Sequence, residues 1–382
     1  MSYKKNSKQP DILFLISEFN FLKSHRLNLI RFLSKKYKRI LILTNIEEVD
    51  PAELKRLNLS SRVQFKNFYL DRSATGIFKN LLFLFNLFKV LVFYKPKRLF
   101  LVSSKPILLG GICSLFLPIQ KTYFNISGLG YLFISEKFKA KIIKNVVLII
   151  YRIIFINRNS KVVFQNKEDL NYFVEKKIVK SFKAELLRGN GVDTNFFTRN
   201  RRPEKLTFLF ASRLLLDKGI TEYLDAARSL SDPNIIFKVA GKHDENNPNC
   251  LGSKELNDLK KNPFVEYLGL IEYEKMPELF NASDVFVLPS YREGLPKVAL
   301  EAACTEMPLI LTDVNGCRDC LIEGKTGFLA RPRDSEDLKE KMFYFIHNKD
   351  QIRPMGIRSR EFIEANFSEK IMFPKYDLLF KK

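Results

Sequence analysis

The chain lacks tryptophan altogether and holds only three histidines and five cysteines in 382 residues, shortages that exclude several protein classes before any motif is read. Cys113, Cys250, Cys304, Cys317 and Cys320 show no framework spacing, and their number is odd, which argues against a disulfide-stapled secreted domain. No basic start followed by an apolar stretch resembles a secretion signal, so a reducing, cytoplasmic setting is expected. Cys317 and Cys320 form a lone C-x-x-C. A zinc site needs two further ligands nearby, and with only His25, His243 and His347 in the chain no metal is expected there. The other usual metal holder, an Asp-x-Asp pair, is missing from the whole sequence.

Uninterrupted apolar runs are also short. The two richest, LLFLFNLFKVLVFY (81–94) and IIKNVVLIIYRIIFIN (142–157), are broken by Lys89, Lys144 and Arg152, and neither reaches the ~18 residues of a spanning helix. A core-facing helix is the plain reading of each. For Phe138 to Arg158 an interfacial helix competes with it, because Lys137, Lys139, Lys141, Lys144, Arg152 and Arg158 alternate with Ile, Val and Tyr.

Acidic residues are scarce in one half only. Residues 1–200 hold 36 Lys/Arg against 13 Asp/Glu, whereas residues 201–382 hold 28 against 29. The first half therefore meets something anionic: nucleic acid, a membrane surface or a phosphorylated substrate. Its basic residues follow no nucleic-acid-binding motif, which disfavours nucleic acid.

What the sequence does have is length for two cores and two series of short apolar runs. DILFLIS (11–17), RILILT (39–44), RLFLVSS (98–104), KTYFNIS (121–127) and KVVFQN (161–166) read as buried strands separated by helix-length stretches. LTFLFAS (206–212), IIFKVAG (235–241), VEYLG (265–269), VFVLPS (285–290), PLILT (308–312) and GFLA (327–330) repeat the pattern. Such alternation implies two parallel sheets with ligands gathered at the carboxyl ends of the strands. The polar RNRRPEK (199–205) is the linker candidate, giving domains 1–199 and 200–366, with 367–382 as a final helix that packs back on the first domain.

The densest chemistry lies in VFVLPSYREGLPKVALEAAC (285–304), which reads strand, turn, helix. Pro296 suits the first helical position, and Gly294 admits close approach of a ligand. The backbone N–H groups of Gly294, Leu295 and Lys297 would meet an anion ahead of the helix dipole. Glu293 and Glu301 supply two ionised carboxylates, each able to accept two hydroxyl hydrogen bonds from a sugar. TFLFASRLLLDKGI (207–220) again ends a strand in a loop, and places Arg213 and Lys218 where two cations would meet a diphosphate. Gly241 closes a strand, as does Gly269.

Glu-x7-Glu after P-S-Y-x-E-G, together with R-L-x-x-x-K-G, resembles the signature of the retaining GT-B enzymes of glycosyltransferase family 4. RGNGVDTNFF (188–197), VAGKHDEN (239–246) and LTDVNGCRDCLIEGKTGFL (311–329) extend the resemblance over nearly the whole second domain. The resemblance implies an α/β protein of GT-B fold, two Rossmann-like domains facing each other across a deep cleft. It implies further that Glu293 contacts the transferred hexose, that Glu301 holds the ribose, that Arg213 and Lys218 clamp the donor diphosphate, and that the neighbourhood of Gly269 lines the nucleobase. The donor is expected to be a UDP-sugar used without metal or other cofactor.

On the acceptor side stand two segments, FNFLKSHRLNLIRFL (19–33), where Ser24 reads as an N-cap with His25 and Arg26 at a helix start, and NISGLGYLF (125–133). The latter resembles the G-L-G loop of bacterial transferases that extend undecaprenyl-diphosphate-linked sugars, and makes Asn125, Gly128 and Gly130 acceptor candidates. The expected function is transfer of a hexose or N-acetylhexosamine to a polyprenyl-diphosphate-linked glycan at the inner membrane face. A soluble enzyme acting on a small phosphorylated or sugar acceptor is the alternative.

Overall fold

The structure is a computed structural model that describes residues 9–70, 76–130, 133, 138–230, 232–245, 247 and 249–381. Tyr131 and Leu132 of the G-L-G segment, Lys137 of the basic stretch and Asn246 of VAGKHDEN lie outside the described residues.

Two compact units emerge. The first comprises Met1–Asn190 with Phe373–Lys382, the second Gly191–Met372. The chain changes unit at Asn190/Gly191, ahead of the polar 199–205 stretch, because backbone and side chains tie that stretch into the second unit. The Val192 N–H donates to the Phe367 carbonyl at 2.9 Å, and the Arg199 guanidinium donates to the carbonyls of Phe280 at 3.1 Å and Ser283 at 3.0 Å.

Unit 1 is a seven-stranded parallel sheet of β1 (Ile12–Glu18), β2 (Ile40–Asn45), β3 (Val63–Asn67), β4 (Arg98–Val102), β5 (Lys121–Ile126), β6 (Ser160–Phe164) and β7 (Ala184–Leu186), in the order β3-β2-β1-β4-β5-β6-β7. The inner strands are buried on both faces and so read as continuous apolar runs. The sequence reading missed β3 and β7, which are the two edges. Their residues are only half-buried or exposed, so VQFKN and AEL carry no apolar run to see. The C-terminal segment packs on this unit. Tyr123 donates to the Leu379 carbonyl at 3.0 Å, Arg98 Nε to that of Phe380 at 2.8 Å, and Lys36 pairs with Asp377 at 2.6 Å.

Unit 2 carries β8 (Leu206–Ala211), β9 (Ile235–Ala240), β10 (Val265–Gly269), β11 (Val285–Leu288), β12 (Leu309–Thr312) and β13 (Gly327–Ala330), all parallel, in the order β10-β9-β8-β11-β12-β13. In both sheets the strand order reverses beside the first strand, at β1/β4 and at β8/β11. A doubly wound sheet opens a crevice at the carboxyl end of that junction.

On one face of unit 1 the helices Ile77–Tyr94 and Phe138–Ile154 flank and pack against Ser104–Phe116. The core-facing expectation covers only one side of the outer two. Leu87 and Leu91 are buried on the first helix and Leu148 and Tyr151 on the second, while Phe78, Leu82, Phe85, Ile142, Val146 and Ile149 are exposed. No helix among the described residues is long and apolar enough to cross a membrane.

Candidate active site

The loops after β8 and β11 leave neighbouring strands at the switch point of unit 2, and this is why residues 75 positions apart meet. Lys218 Nζ lies 2.5 Å from Glu293 Oε1, with both side chains largely buried at 16% and 12% exposure. Ser290 Oγ donates to the same oxygen at 2.8 Å. The loops are held close by Gly219 (φ +73°), where any Cβ would overlap the Pro289 carbonyl, and by the Tyr291 N–H, which donates to the Asp217 carbonyl at 2.9 Å. Tyr291 also donates its hydroxyl to Glu222 at 2.6 Å beneath the Arg333 guanidinium, 4.8 Å from the ring. Burial and then the Glu222 carboxylate push the Tyr291 phenol up, so it remains a donor at neutral pH.

Glu301 lies inside the helix Lys297–Cys304 and is 4% exposed. Its Oε1 receives Lys297 Nζ at 2.7 Å and the Tyr273 hydroxyl at 3.1 Å, and Lys297 also donates to the Tyr273 hydroxyl at 2.9 Å. Burial, followed by the adjacent Glu301 charge, drives the Tyr273 phenol far above its ordinary range. The two glutamates are thus built alike: one oxygen is fixed by a lysine and a hydroxyl, and the other, Oε2, takes no protein hydrogen bond among the described residues. An anchored carboxylate with an open oxygen suits a ligand hydroxyl, since its orientation entropy is already spent.

Pro296 occupies the position before the helix, which begins at Lys297, and Leu295 is buried. Gly294 abuts Gly316 (φ +79°), whose missing Cβ leaves room for the Gly294 carbonyl. Gly241 and Gly269 meet through an N–H···O bond of 2.7 Å at the ends of β9 and β10, and a Cβ on Gly241 would overlap the Ser212 carbonyl. Arg213 stands apart from Lys218 in its pairing. Its guanidinium lies 3.1 Å from Asp244 and is 42% exposed. Cys317 and Cys320 are buried free thiols, pushed up by burial, and no metal-ligand group occurs among the described residues.

In unit 1 the N-cap expectation for Ser24 is overturned, while Arg26 does stand at a helix start, as the N-cap residue of helix Leu27–Ser34. Helix Phe19–His25 ends there, so Ser24 donates back to the Asn20 carbonyl at 2.9 Å, and His25 occupies the last turn stacked on Phe21 at 4.3 Å. The apolar Phe19 and Leu22 draw that turn onto the core. Arg26 breaks the helix and turns wholly inward, where it donates to Asn190 Oδ1 and to the Tyr376 hydroxyl at 3.3 Å and lies 5.7 Å from the Phe100 ring. Asn125, the last residue but one of β5, is fully buried, and neither its Oδ1 nor its Nδ2 has a partner; the same is true of Ser17 Oγ on β1. Gly128 (φ +144°) and Gly130 (φ +66°) take the left-handed side that the G-L-G turn demands.

Ser290, Tyr273, Asp244 and Ser103 were missed by the sequence reading. Ser290 was findable, three residues before Glu293 in the same turn; Tyr273 lies 28 residues from Glu301, and no local spacing reveals it. Ser103, after β4, has φ +73° and ψ 166°, a region otherwise left to glycine and worth about 1–3 kcal/mol of strain.

Two parallel Rossmann-like sheets, each doubly wound, are the architecture of the GT-B fold. Residues 192–362 match the family model Glycosyl transferases group 1, so the chain carries a group 1 glycosyltransferase domain. The chain is 26% identical over 271 residues to N,N'-diacetylbacillosaminyl-diphospho-undecaprenol alpha-1,3-N-acetylgalactosaminyltransferase of Campylobacter jejuni, covering 67% of this chain and 69% of that protein. It is also 26% identical over 303 residues to UDP-Gal:alpha-D-GlcNAc-diphosphoundecaprenol alpha-1,3-galactosyltransferase of Escherichia coli, covering 70% and 73%. Among solved structures, sucrose-phosphate synthase of Thermosynechococcus elongatus superposes with a TM-score of 0.82 at 18% identity over 98% of both chains. HepE of Anabaena, in complex with UDP and glucose, superposes with a TM-score of 0.75 at 15% identity over 98% of this chain and 100% of its own.

Proposed function

We propose that this chain is a retaining glycosyltransferase that moves a hexose or N-acetylhexosamine from a UDP-sugar to a polyprenyl-diphosphate-linked glycan in surface polysaccharide or glycoprotein assembly. The observation that carries the reading is the pair of anchored glutamates, Glu293 beside Lys218 and Glu301 beside Lys297, on loops and a helix start of a group 1 domain. The acceptor class follows from the names of the Campylobacter jejuni and Escherichia coli relatives, both of which act on sugars linked to diphosphoundecaprenol.

Breaking the sugar–diphosphate bond leaves negative charge on the departing UDP, and catalysis consists largely of stabilising it in a fixed, dry setting. Lys218, Arg213 and the start of the helix at Lys297 supply that stabilisation without a metal. Glu293 holds hydroxyls of the transferred sugar, and Glu301 those of the ribose. The acceptor hydroxyl attacks C1 from the face the phosphate leaves; its proton passes to the leaving phosphate oxygen, so no separate base is required. The basic first half brings the enzyme to the anionic inner surface of the membrane, where a lipid-diphosphate acceptor resides.

The test is a panel of UDP-sugars with EDTA present, read as UDP release and as protection against melting. One UDP-sugar is expected to raise the melting point and to be slowly hydrolysed. No response to any of them, or activity lost wholly to EDTA, refutes the reading.

A further inference from the structure

The exposed faces of the two outer helices of unit 1 differ in a way that points to a division of labour. Helix Ile77–Tyr94 has only Lys79 and Lys89 as charges in 18 residues, and it exposes Phe78 at 82%, Phe85 at 55%, Phe93 at 54%, Leu81, Leu82 and Val92. Helix Phe138–Ile154 exposes Ile142, Val146, Ile149 and Ile153, a stripe at helical spacing, and interleaves it with Lys141, Lys144 and Arg152. Both lean on Ser104–Phe116. Between the first helix and this middle one lies an open apolar groove of about 300 Å³, lined by Leu81, Leu84, Phe85, Phe88, Ile112 and Phe116.

No acidic residue occurs in any of the three helices, and from Arg72 to Lys167 the sequence holds 16 basic residues against Glu136 alone. So strong a bias selects the occupant. A second copy of this chain would bring like charges together around the patch, whereas an anionic bilayer offers hydrocarbon for the phenylalanines and phosphates for the lysines. Lys89 Nζ lies over the Phe85 ring, 4.1 Å from its centroid, a cation–π contact that the long flexible stem can exchange for a headgroup phosphate when the ring enters the apolar layer.

We infer that helix Ile77–Tyr94 inserts into the acyl layer of an anionic bilayer, while helix Phe138–Ile154 rides among the headgroups. This rests on the membrane-surface part of the proposed function and adds which element enters and how deep.

The absence of tryptophan makes the test direct, because each introduced tryptophan is the only one. Phe85→Trp, Ile149→Trp and, as a control in unit 2, Phe343→Trp are made separately, with melting curves to verify folding. Each is mixed with phosphatidylglycerol/phosphatidylcholine vesicles whose acyl chains are brominated at a shallow or a deep position. The Phe85→Trp emission is expected to shift blue and to be quenched more by deep bromines, Ile149→Trp more by shallow ones, and Phe343→Trp by neither. Phe85→Lys adds a cation yet is expected to weaken vesicle binding about fivefold or more, since insertion is lost. Vesicle binding with an unquenched Phe85→Trp, or undiminished binding of Phe85→Lys, overturns the inference and leaves the membrane reading standing. Failure of the wild-type chain to sediment with vesicles sinks the membrane reading itself. A blue shift that follows protein concentration without vesicles assigns the face to a second copy and overturns the inference as well.

Discussion

The carboxyl edges of the two sheets share a topology and differ in how their polar groups are satisfied. In unit 2 the site is pre-paired: Lys218, Ser290, Lys297 and Tyr273 hold the two glutamates at 2.5–3.1 Å. In unit 1 the corresponding edge carries buried polar atoms with no partner, on Ser17, Arg26 and Asn125, beside the strained Ser103. A buried polar group without a hydrogen bond costs about 1–3 kcal/mol, so an edge built this way is completed by water or ligand. The contrast separates an edge whose polar groups are paired within the protein from one where several are not.

The sharpest way to break this comparison is to alter the pre-paired site. Glu293→Gln keeps the shape but loses the charge, and turnover is expected to fall on the order of 10³-fold while the melting point moves little. Turnover assays with calorimetry check it; near-normal activity would remove Glu293 from the sugar site. Lys218→Ala leaves Glu293 without its cation and should lower the rate more than about tenfold. The same change at His25, which stacks on Phe21 and lies 2.7 Å from the Ser24 hydroxyl, should cost less than Lys218→Ala in the same assay.

How much of this was legible in the sequence follows the same divide. The inner strands of both sheets, and Glu293, Glu301 and Lys218, are visible because double burial forces apolar runs and because one turn places its chemistry locally. The edge strands β3 and β7 escaped notice because partial exposure tolerates polar residues. Tyr273 and Asp244 are contacts made across the fold, which no spacing encodes. Ser24 misled because serine caps helices well, yet here Phe19 and Leu22 begin the turn earlier. Arg26 does stand at a helix start, before Leu27–Ser34, but its guanidinium bonds Asn190 and Tyr376 in the interior, contacts that no local spacing encodes.

Glycine substitutions sharpen the comparison at the level of stability. Gly241→Ala would drive a methyl into the Ser212 carbonyl and should destabilise unit 2 by about 3 kcal/mol. Gly130→Ala meets open space and incurs only the left-handed backbone, about 1 kcal/mol. Denaturant titration of both variants decides it, and equal losses would contradict the difference in space around the two glycines.

The smallest effect concerns pH. Burial raises the Asp377 carboxyl, but hydrogen bonds from Lys36 and Lys381 outweigh it and hold the pKa below the ordinary 3.8. Stability from this pairing is full above pH 3.8 and lost as pH falls through the lower folded value. Acid titration of the wild type against Asp377→Asn should show the stability difference shrinking below about pH 4, as lowered-pKa linkage requires.

Titrating UDP into the protein by calorimetry with EDTA present puts the metal-free donor site to the most direct trial. Wild-type protein is expected to bind, Glu293→Gln to bind nearly as well, and Glu301→Ala to bind at least about tenfold more weakly, as loss of a charge-assisted hydrogen-bond pair implies. Binding that appears only after a divalent cation is added, or that Glu301→Ala leaves undiminished, would contradict the account.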